Sequence, residues 1–296
     1  MTPDLFRTIP CPTYPEIRLA LFPGRRVAAM IEDFQPQAIH IATEGPLGVA
    51  ARAHCLKQGY PFTTAYHTRF PEYVHARVPL PLSWLYAVMK WFHGPSSAIM
   101  VATQTIEDDL IARGFRPPVR RWSRGVWTDL FKPRDKAFLD APRPISLFTG
   151  RVAVEKNIEA FLKLDLPGTK YVVGDGPQLD DLKRKYPAVR FAGVKEGEEL
   201  AKYFAAADVF VFPSRTDTFG LVLLEAMASG VPVAAYPVPG PLDVVNQSGA
   251  GVLSDDLAAA VTAALAIPAE ACRNHALKYS WDASFDQFEG NLHVFR

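Results

Sequence analysis

Two charged side chains in the second half of the chain have types and spacing that suit a phosphorylated ligand. Arg151 and Lys156 follow the apolar run Ile145–Thr149, which has the composition of a buried strand. A guanidinium offers a planar fork of donors and an ammonium offers a point charge, so together they can embrace a diphosphate. The same residue types are also common on solvated surfaces, and this pair alone leaves both interpretations open.

A second stretch adds two carboxylates. Asp217 and Glu225 follow another apolar run and flank a glycine turn that leads into a predicted helix. The backbone N–H groups of Phe219, Gly220 and Leu221 would be free at the helix start and would bind an anion or a sugar hydroxyl. Glu225 lies one turn further on among apolar neighbours, where it can accept from a vicinal diol such as a ribose. The alternative is a solvated or capping acid.

Short β-rich apolar runs alternate with helical patterns, which predicts βαβ units on parallel sheets. The predicted strands are Glu16–Phe22, Ala38–Ala42, Phe62–Tyr66, Ser97–Ala102, Ile145–Thr149, Lys170–Gly174, Val189–Gly193, Val209–Pro213 and Val231–Tyr236. The segment Pro117–Pro142 interrupts the alternation with four prolines, so it predicts a connection between two α/β domains. We therefore place an N-terminal domain at 1–125, joined by a C-terminal helix at 281–296, and a second domain at 126–280.

The composition supports two globular domains. Hydrophobic residues make up 49% and charged residues 21% of 296 residues, and roughly 150 residues form a typical domain. Residues 1–134 carry 16 Lys and Arg against 10 Asp and Glu, and the rest carries 16 against 21. This asymmetry predicts different partners for the two halves, or reflects chance. With no signal peptide pattern, no membrane span and three scattered cysteines, a cytoplasmic setting is expected.

Two common nucleotide motifs are missing from the sequence. No G-x-G-x-x-G follows a strand, since Gly174-Asp175-Gly176-Pro177 has Leu179 at the third glycine position. There is also no Walker A sequence and no H-E-x-x-H. The dinucleotide oxidoreductase and P-loop classes therefore lose their usual support.

The stretch Leu147–Val245 resembles the donor-binding domain of glycosyltransferase family 4, a retaining family with the two-domain GT-B fold. The resemblance lies in the spacing of Arg151 with Lys156 and of Asp217 with Glu225. The shared short motifs are Pro213-Ser214, Phe219-Gly220 and Glu225-Ala226-Met227-Ala228. The resemblance implies that the Arg and Lys hold the diphosphate of a nucleotide sugar. It also implies that Asp217, where Glu is more usual, contacts the transferred sugar and that Glu225 holds the ribose.

The first half is similar to one branch of this family. The similarity lies in two short motifs, Thr43-Glu44-Gly45-Pro46-Leu47-Gly48 and Tyr66-His67-Thr68-Arg69-Phe70. The branch contains GDP-mannose-dependent α-mannosyltransferases, phosphatidylinositol mannosyltransferases and sulfoquinovosyl-diacylglycerol synthases. By this resemblance His67 lies beside the reacting sugar, and Thr43, Glu44 and Gly45 lie on the acceptor side.

The implied fold is α/β of the GT-B type, with two Rossmann-like, doubly wound domains facing each other across a cleft. Members of the family open with a strand, a glycine-rich turn and a helix. In this chain that part is not evident before the predicted strand Ala38–Ala42. We therefore expect the first domain to be truncated by its first βαβ unit, which is roughly 50 residues with its connection.

The resemblance implies a retaining glycosyltransferase that moves a hexose, mannose foremost, from a nucleoside-diphosphate sugar to a lipid or glycan acceptor. No metal or other cofactor is expected, because cationic side chains would stabilise the leaving diphosphate. A non-catalytic relative that binds nucleotide sugar is one alternative, suggested by the short first domain. A sugar-nucleotide epimerase of the same fold is another, and the spacing of Asp217 with Glu225 counts against it.

Two further features concern partners. The run Leu82–Phe92 predicts a helix that is apolar nearly all round, with Trp84, Val88 and Trp91 along one side. It is either buried core or a surface that meets lipid, and with the basic first half it predicts an anionic lipid acceptor at a membrane face.

Arginines cluster at the start of the predicted linker: Arg113, Arg116, Arg120, Arg121 and Arg124. We interpret them as a solvated face and expect no nucleic-acid partner, since no nucleic-acid module accompanies them.

Overall fold

The computed structural model describes residues 2–11, 14–75, 78–246 and 248–295. The chain divides into two compact units. Unit 1 is drawn from Met1–Trp122 and Asp286–Arg296, and unit 2 is Ser123–Phe285. Both units are built from helices and parallel strands, so the predicted α/β fold class is confirmed.

Unit 1 holds two separate sheets. In chain order its elements are a 3-10 helix Pro3–Leu5, β1 Thr8–Cys11, β2 Tyr14–Ala20, α1 Gly24–Phe34, β3 His40–Ile41, α2 Pro46–Gln58, β4 Thr63–Tyr66, α3 Phe70–His75, α4 Leu82–His93, β5 Ala98–Val101, α5 Gln104–Ala112 and β6 Val119–Arg121. Strands β3, β4, β5 and β6 form a parallel sheet in that order, while β1 and β2 pair as an antiparallel hairpin. The sequence predicted one strand where the hairpin has two.

Burial explains why β4 and β5 form the centre of the unit 1 sheet. Every residue of both strands is buried, which is typical of parallel strands covered on both faces. One core cluster joins Val27 and Ile31 of α1 to Cys55 of α2. Another joins Met89 of α4 to Leu110 of α5. These contacts hold the helices that follow β3 and β4 in place. They thereby also fix the loops that connect each of these strands to its helix.

Unit 2 is a single six-stranded parallel sheet with its helices. In chain order its elements are a 3-10 helix Lys136–Phe138, β7 Ile145–Thr149, a 3-10 helix Val154–Lys156, α6 Ile158–Leu162, β8 Thr169–Val173, α7 Leu179–Lys185, β9 Arg190–Gly193, α8 Gly197–Ala206, β10 Val209–Phe212, α9 Leu221–Ala228, β11 Val233–Ala235, α10 Pro241–Val244, β12 Gly251–Leu253, α11 Leu257–Ala264 and α12 Ala269–Ala276. The last helix, α13 Trp281–Asn291, begins in unit 2 and ends in unit 1.

The strand order of unit 2 is β12-β11-β10-β7-β8-β9, with every pair parallel. This is the Rossmann order, in which the chain leaves the first strand in one direction and later returns to add strands on its other side. The direction reverses between β7 and β10. Ligands of such sheets bind outside the carboxyl ends of the strands at this switch point. The loops that follow β7 and β10 are therefore the ones to examine for a site.

The segment predicted as a linker begins inside unit 1. Residues Val119–Arg121 form β6 at the edge of the unit 1 sheet, where they pair with β5. The basic cluster is also not one solvated face. Arg113 Nε lies 2.9 Å from Asp109 Oδ1, and its guanidinium stacks 3.8 Å from the ring centre of Tyr86. Arg124 is half-buried and burial lowers its pKa to about 10, whereas Arg116, Arg120 and Arg121 are exposed.

In unit 2 the segments 123–126 and 279–281 run close together. Val126 N donates to Tyr279 O at 3.2 Å, and a Cβ added at Gly125 would lie 2.4 Å from the backbone nitrogen of Trp281. Gly125→Ala is therefore expected to lower the free energy of unfolding by about 1–3 kcal/mol, because backbone must shift to admit the methyl group. Urea unfolding tests this. Gly24→Ala is the control, since nothing lies within 4 Å of its added Cβ, and an equal loss in both variants would contradict the account.

Candidate functional site

The loop after β8 packs against the loop after β7 and holds it in place. A Cβ added at Gly174 would lie 1.9 Å from Gly150 O, and both Gly174 and Gly176 have the positive φ that favours glycine. Val152 N donates to Asp175 O at 2.8 Å. The sequence Gly174-Asp175-Gly176, which fails as a dinucleotide fingerprint, thus fixes the backbone on either side of Arg151.

The loops after β7 and β10 are tied to each other by hydrogen bonds. Asn157 Nδ2 donates to Pro213 O at 3.0 Å, and Thr216 Oγ1 donates to Glu155 O at 3.2 Å. Asn157 has a φ of 50°, a left-handed conformation that asparagine adopts more readily than most residues. Our sequence interpretation missed the roles of Asn157 and Thr216. An asparagine directly after the Arg and Lys pair was the available signal.

The predicted phosphate and sugar residues are brought into direct contact. Lys156 Nζ donates to Asp217 Oδ1 at 2.6 Å, and the Asp217 side chain is only 15% exposed. The other carboxylate oxygen, Oδ2, is buried and has no hydrogen-bond partner among the residues that the structure describes. A buried acceptor without a donor is costly, so this oxygen suits a hydroxyl supplied by a ligand.

Arg151 has a carboxylate of its own nearby. Its Nε lies 3.9 Å from Glu155 Oε1, and the Glu155 side chain is almost fully buried while that of Arg151 is partly exposed. At the switch point two cations therefore face two carboxylates. This balance keeps the guanidinium and ammonium in place without a ligand, and an arriving polyanion would compete with Asp217 for Lys156.

The start of α9 offers three backbone donors. Gly220 is the N-cap in a left-handed conformation, with a φ of 80° and a ψ of 74°. Within the described part of the chain, the amides of Phe219, Gly220 and Leu221 have no hydrogen-bond acceptor. They lie at the positive end of the helix dipole, which favours an anion or a hydroxyl oxygen at this position.

Glu225 lies on α9 one turn after these amides and is partly exposed. The structure shows no hydrogen bond or ion pair for its carboxyl among the described residues. Burial raises its pKa to about 7, since little water remains to solvate the charge. The carboxyl therefore changes charge near neutral pH, and donors from a ligand would favour its ionised form.

In unit 1 the predicted acceptor-side residues follow β3. Thr43 and Glu44 form the loop, and Gly45 is the N-cap of α2. A Cβ added at Gly48 would lie 1.9 Å from Thr43 O, so α2 packs directly on that loop. Glu44 Oε1 lies 3.2 Å from Nε2 of His93, a residue that the sequence analysis does not single out.

His67 follows β4, the neighbour of β3, so both loops lie at the carboxyl edge of the same parallel sheet. The imidazole is partly exposed and makes an edge contact with the indole of Trp122, with ring centres 5.3 Å apart. The site residues predicted in the first half of the chain are thus grouped at one edge of unit 1.

Helix α4 has one buried and one exposed apolar face. Tyr86 and Met89 are buried in the core of unit 1, whereas Trp84, Val88 and Trp91 are 68%, 54% and 53% exposed. One face of α4 is therefore buried core, as the first alternative predicts, and the other is an exposed apolar surface. None of the helices in the described part of the chain has the length and apolarity of a membrane span. Nor do its His, Cys, Asp and Glu side chains gather in threes that could hold a metal ion.

Comparison with known proteins identifies the family. Residues 143–267 match the sequence model of the group 1 glycosyl transferases, and residues 2–130 match that of Glycosyltransferase Family 4. The sulfoquinovosyl transferase of Arabidopsis thaliana is 32% identical over 265 residues, which are 83% of this chain and 51% of the relative. A GDP-mannose-dependent α-mannosyltransferase of Mycolicibacterium smegmatis is 31% identical over 291 residues, which are 91% of this chain and 76% of the relative.

The fold has counterparts among solved structures. Sucrose-phosphate synthase of Thermosynechococcus elongatus superposes with a TM-score of 0.75 and 25% identity, covering 88% of this chain and 74% of that one. The chain spans about half the length of the Arabidopsis thaliana relative. The match to the mycobacterial mannosyltransferase extends over most of both proteins, and matches to the two family models cover both units. The chain therefore belongs to glycosyltransferase family 4.

Proposed function

We propose that the protein is a retaining hexosyltransferase that takes a nucleoside-diphosphate hexose, GDP-mannose foremost, as donor and a lipid or glycan as acceptor. The observation that carries the proposal is the pairing of Lys156 with Asp217 beside Arg151 at the switch point of the unit 2 sheet. The α-mannosyltransferase relative that is named for GDP-mannose supports the choice of donor.

The donor would be held by groups with complementary chemistry. Arg151 and Lys156 would bind the diphosphate, and the free amides at the start of α9 would bind its oxygens or a sugar hydroxyl. Asp217 Oδ2, a buried acceptor, would take a hydrogen bond from the hexose. Glu225, a carboxyl without a partner among the described residues, would accept from the ribose diol.

Transfer would proceed on one face of the sugar. The bond between the anomeric carbon and the leaving phosphate oxygen breaks, and a bond from the acceptor oxygen forms on the same face. The leaving phosphate accepts the acceptor's proton. Arg151 and Lys156 stabilise the charge that develops on the diphosphate, which is the role that a metal ion plays elsewhere. His67 would hold a sugar hydroxyl, and the loop with Thr43, Glu44 and Gly45 would contact the acceptor.

A thermal-shift panel of GDP-, UDP- and ADP-sugars, followed by turnover with lipid and soluble acceptors, tests the proposal. We expect one donor class to raise Tm and to be consumed only when an acceptor is added, with undiminished turnover in EDTA. Nucleotide binding without turnover would indicate a non-catalytic relative. Interconversion of the donor without an acceptor would indicate an epimerase. Loss of turnover in EDTA would overturn the metal-free mechanism.

The exposed face of α4 leads us to propose contact with the cytoplasmic face of an anionic membrane. Trp84, Val88 and Trp91 form an apolar stripe at helical spacing, and Lys90 between them is exposed. The basic excess of residues 1–134 would attract anionic lipid. This contact would bring unit 1, which holds the proposed acceptor-side residues, to a surface that carries a lipid acceptor.

Trp84→Ser with Trp91→Ser is expected to weaken binding to phosphatidylglycerol vesicles, measured by flotation, by about thirtyfold or more, because each buried indole contributes on the order of 1 kcal/mol or more to membrane binding. Phe34→Ser is the matched control, since Phe34 is a strongly exposed aromatic side chain of α1 in the same unit. Equal flotation of the double variant and the wild type would contradict the contact. So would failure of the wild type to float at all.

A further inference from the structure

His93 connects the interior of unit 1 to the acceptor-side loop. It is the last residue of α4 and is fully buried, yet both ring nitrogens have polar partners. Nε2 lies 3.2 Å from Glu44 Oε1 and Nδ1 lies 2.9 Å from Thr64 Oγ1. The Thr64 hydroxyl donates to Ser96 Oγ at 3.3 Å. A chain of four polar side chains therefore runs from the core to the loop after β3.

Aromatic rings fix the orientation of the imidazole. The ring centre of Phe92 lies 5.0 Å away in an edge-to-face arrangement. The rings of Tyr66 and Phe115 lie at 6.0 Å and 6.2 Å. A polar ring in such surroundings is stable only with its hydrogen bonds made, so the two contacts and the packing together hold it in one position.

The hydrogen-bond directions determine what binds Glu44. Because Thr64 donates its one hydroxyl hydrogen to Ser96, the Nδ1–H of His93 is the donor to Thr64. The other ring nitrogen, Nε2, lies 3.2 Å from Glu44 Oε1, so this contact fixes Glu44 by one of its two oxygens.

The contact with His93 leaves the second oxygen of Glu44 available. The side chain is only 9% exposed, and Oε2 has no hydrogen-bond partner among the described residues. The close approach of Gly48 to Thr43 O fixes the backbone of the same loop. The loop lies at the carboxyl edge of the sheet, where His67 follows the neighbouring strand. Glu44 Oε2 is therefore an acceptor held rigidly at the edge that the proposed function assigns to the acceptor substrate.

We propose that His93 is a positioning residue for sugar transfer: through Nε2 it holds Glu44 so that Oε2 accepts a hydrogen bond from a hydroxyl group of the acceptor substrate. The inference rests on the proposed function and adds to it the chemistry by which the acceptor is recognised. His93 itself touches no substrate and acts only through the carboxylate.

The test compares His93→Phe, His93→Gln and Glu44→Gln with the wild type, using GDP-mannose and diacylglycerol in phosphatidylcholine–phosphatidylglycerol vesicles. We expect His93→Phe and Glu44→Gln each to raise the KM for diacylglycerol by about tenfold or more, since each removes a hydrogen bond to a charged group. In His93→Phe the KM for GDP-mannose should stay unchanged. His93→Gln, whose amide can donate to Glu44, should recover part of the loss. The double variant should be no worse than either single one.

His54→Phe is the matched control. His54 is a second buried imidazole in unit 1 and its Nε2 lies 2.8 Å from Glu32 Oε1, but neither residue belongs to the loops after β3 and β4. It should lower Tm without changing the KM for diacylglycerol. If the wild type transfers sugar and the folded variants His93→Phe and Glu44→Gln have an unchanged KM for diacylglycerol, the inference is overturned. The proposed function is then unaffected. Absence of transfer by the wild type would overturn both.

Discussion

Lys156→Ala is expected to lower kcat/KM for sugar transfer by about 10²–10³-fold, the size of effect seen when one preorganised charge at a developing anion is removed. Two losses combine in this variant. The ammonium no longer stabilises the leaving diphosphate, and Asp217, 15% exposed, is left without its 2.6 Å partner. An uncompensated carboxylate beside the diphosphate repels it, so donor binding and the transfer step should both suffer.

The two losses can be separated with a second substitution. Adding Asp217→Asn to Lys156→Ala removes the repelling charge, so the donor Kd should improve relative to Lys156→Ala while kcat stays low. Lys163→Ala is the matched control, since Lys163 is an exposed lysine nearby on the same loop-helix segment. Steady-state kinetics and calorimetric titration with GDP-mannose give both quantities. Undiminished transfer by Lys156→Ala would contradict the assignment of Lys156.

Glu225→Gln is expected to have opposite effects on stability and on donor binding. Burial raises the pKa of the folded-state carboxyl to about 7 from the ordinary 4.5, so the folded protein retains a proton that the unfolded chain releases between these values. Stability of the wild type therefore falls as pH rises from 4.5 to 7, and the loss is complete above pH 7. The glutamine variant does not titrate and should be more stable at pH 8, by about 3 kcal/mol.

Bound donor is expected to favour glutamate over glutamine at position 225, because a carboxylate accepts hydrogen bonds more strongly than an amide does. With a ribose diol bound, Glu225→Gln should weaken the affinity for GDP-mannose by about tenfold at pH 8 and by less at pH 6, where the wild-type carboxyl is mostly protonated. Urea unfolding at pH 4 and 8 and calorimetry at pH 6 and 8 measure the two effects. Glu196→Gln, an exposed acid of unit 2, should change neither. Equal stability of wild type and Glu225→Gln at pH 8 would refute the buried-carboxyl account.

The donor-side part of the candidate site could be predicted from sequence because the loops and helix starts that carry its residues follow apolar strands. Ile145–Thr149 and Val209–Pro213 are long, β-rich runs, and the structure has β7 and β10 at those positions. Parallel strands bring such loops to one edge. The pairing of Lys156 with Asp217 was beyond sequence patterns, because it depends on strand order in space. The roles assigned to these residues remain predictions.

Short strands escaped prediction for a different reason. β6 has two arginines among its three residues, and β1 contains Pro10, so neither presents an apolar run. Their strand conformation comes from pairing with a neighbour, β5 or β2, that sequence periodicity does not reveal. The predicted linker, which starts at Pro117, consequently includes β6.

The partners of buried polar groups were also invisible in the sequence. His93 has no chemical motif around it, and its contacts with Glu44 and Thr64 span 49 and 29 residues along the chain. The helix α4 was predicted with both of its faces apolar, and only the packing of Tyr86 and Met89 shows which face is left exposed.

The central claim is that the switch point of unit 2 activates a nucleoside-diphosphate hexose for transfer with retention. The most direct measurement is the anomeric configuration of the product, determined by proton NMR. The reaction would use the donor that the thermal-shift panel selects, with EDTA and vesicles that carry diacylglycerol. The account predicts an α-linked product from an α-linked donor, with one nucleoside diphosphate released per transfer. A β-linked product, or bound donor that yields no product, would contradict it.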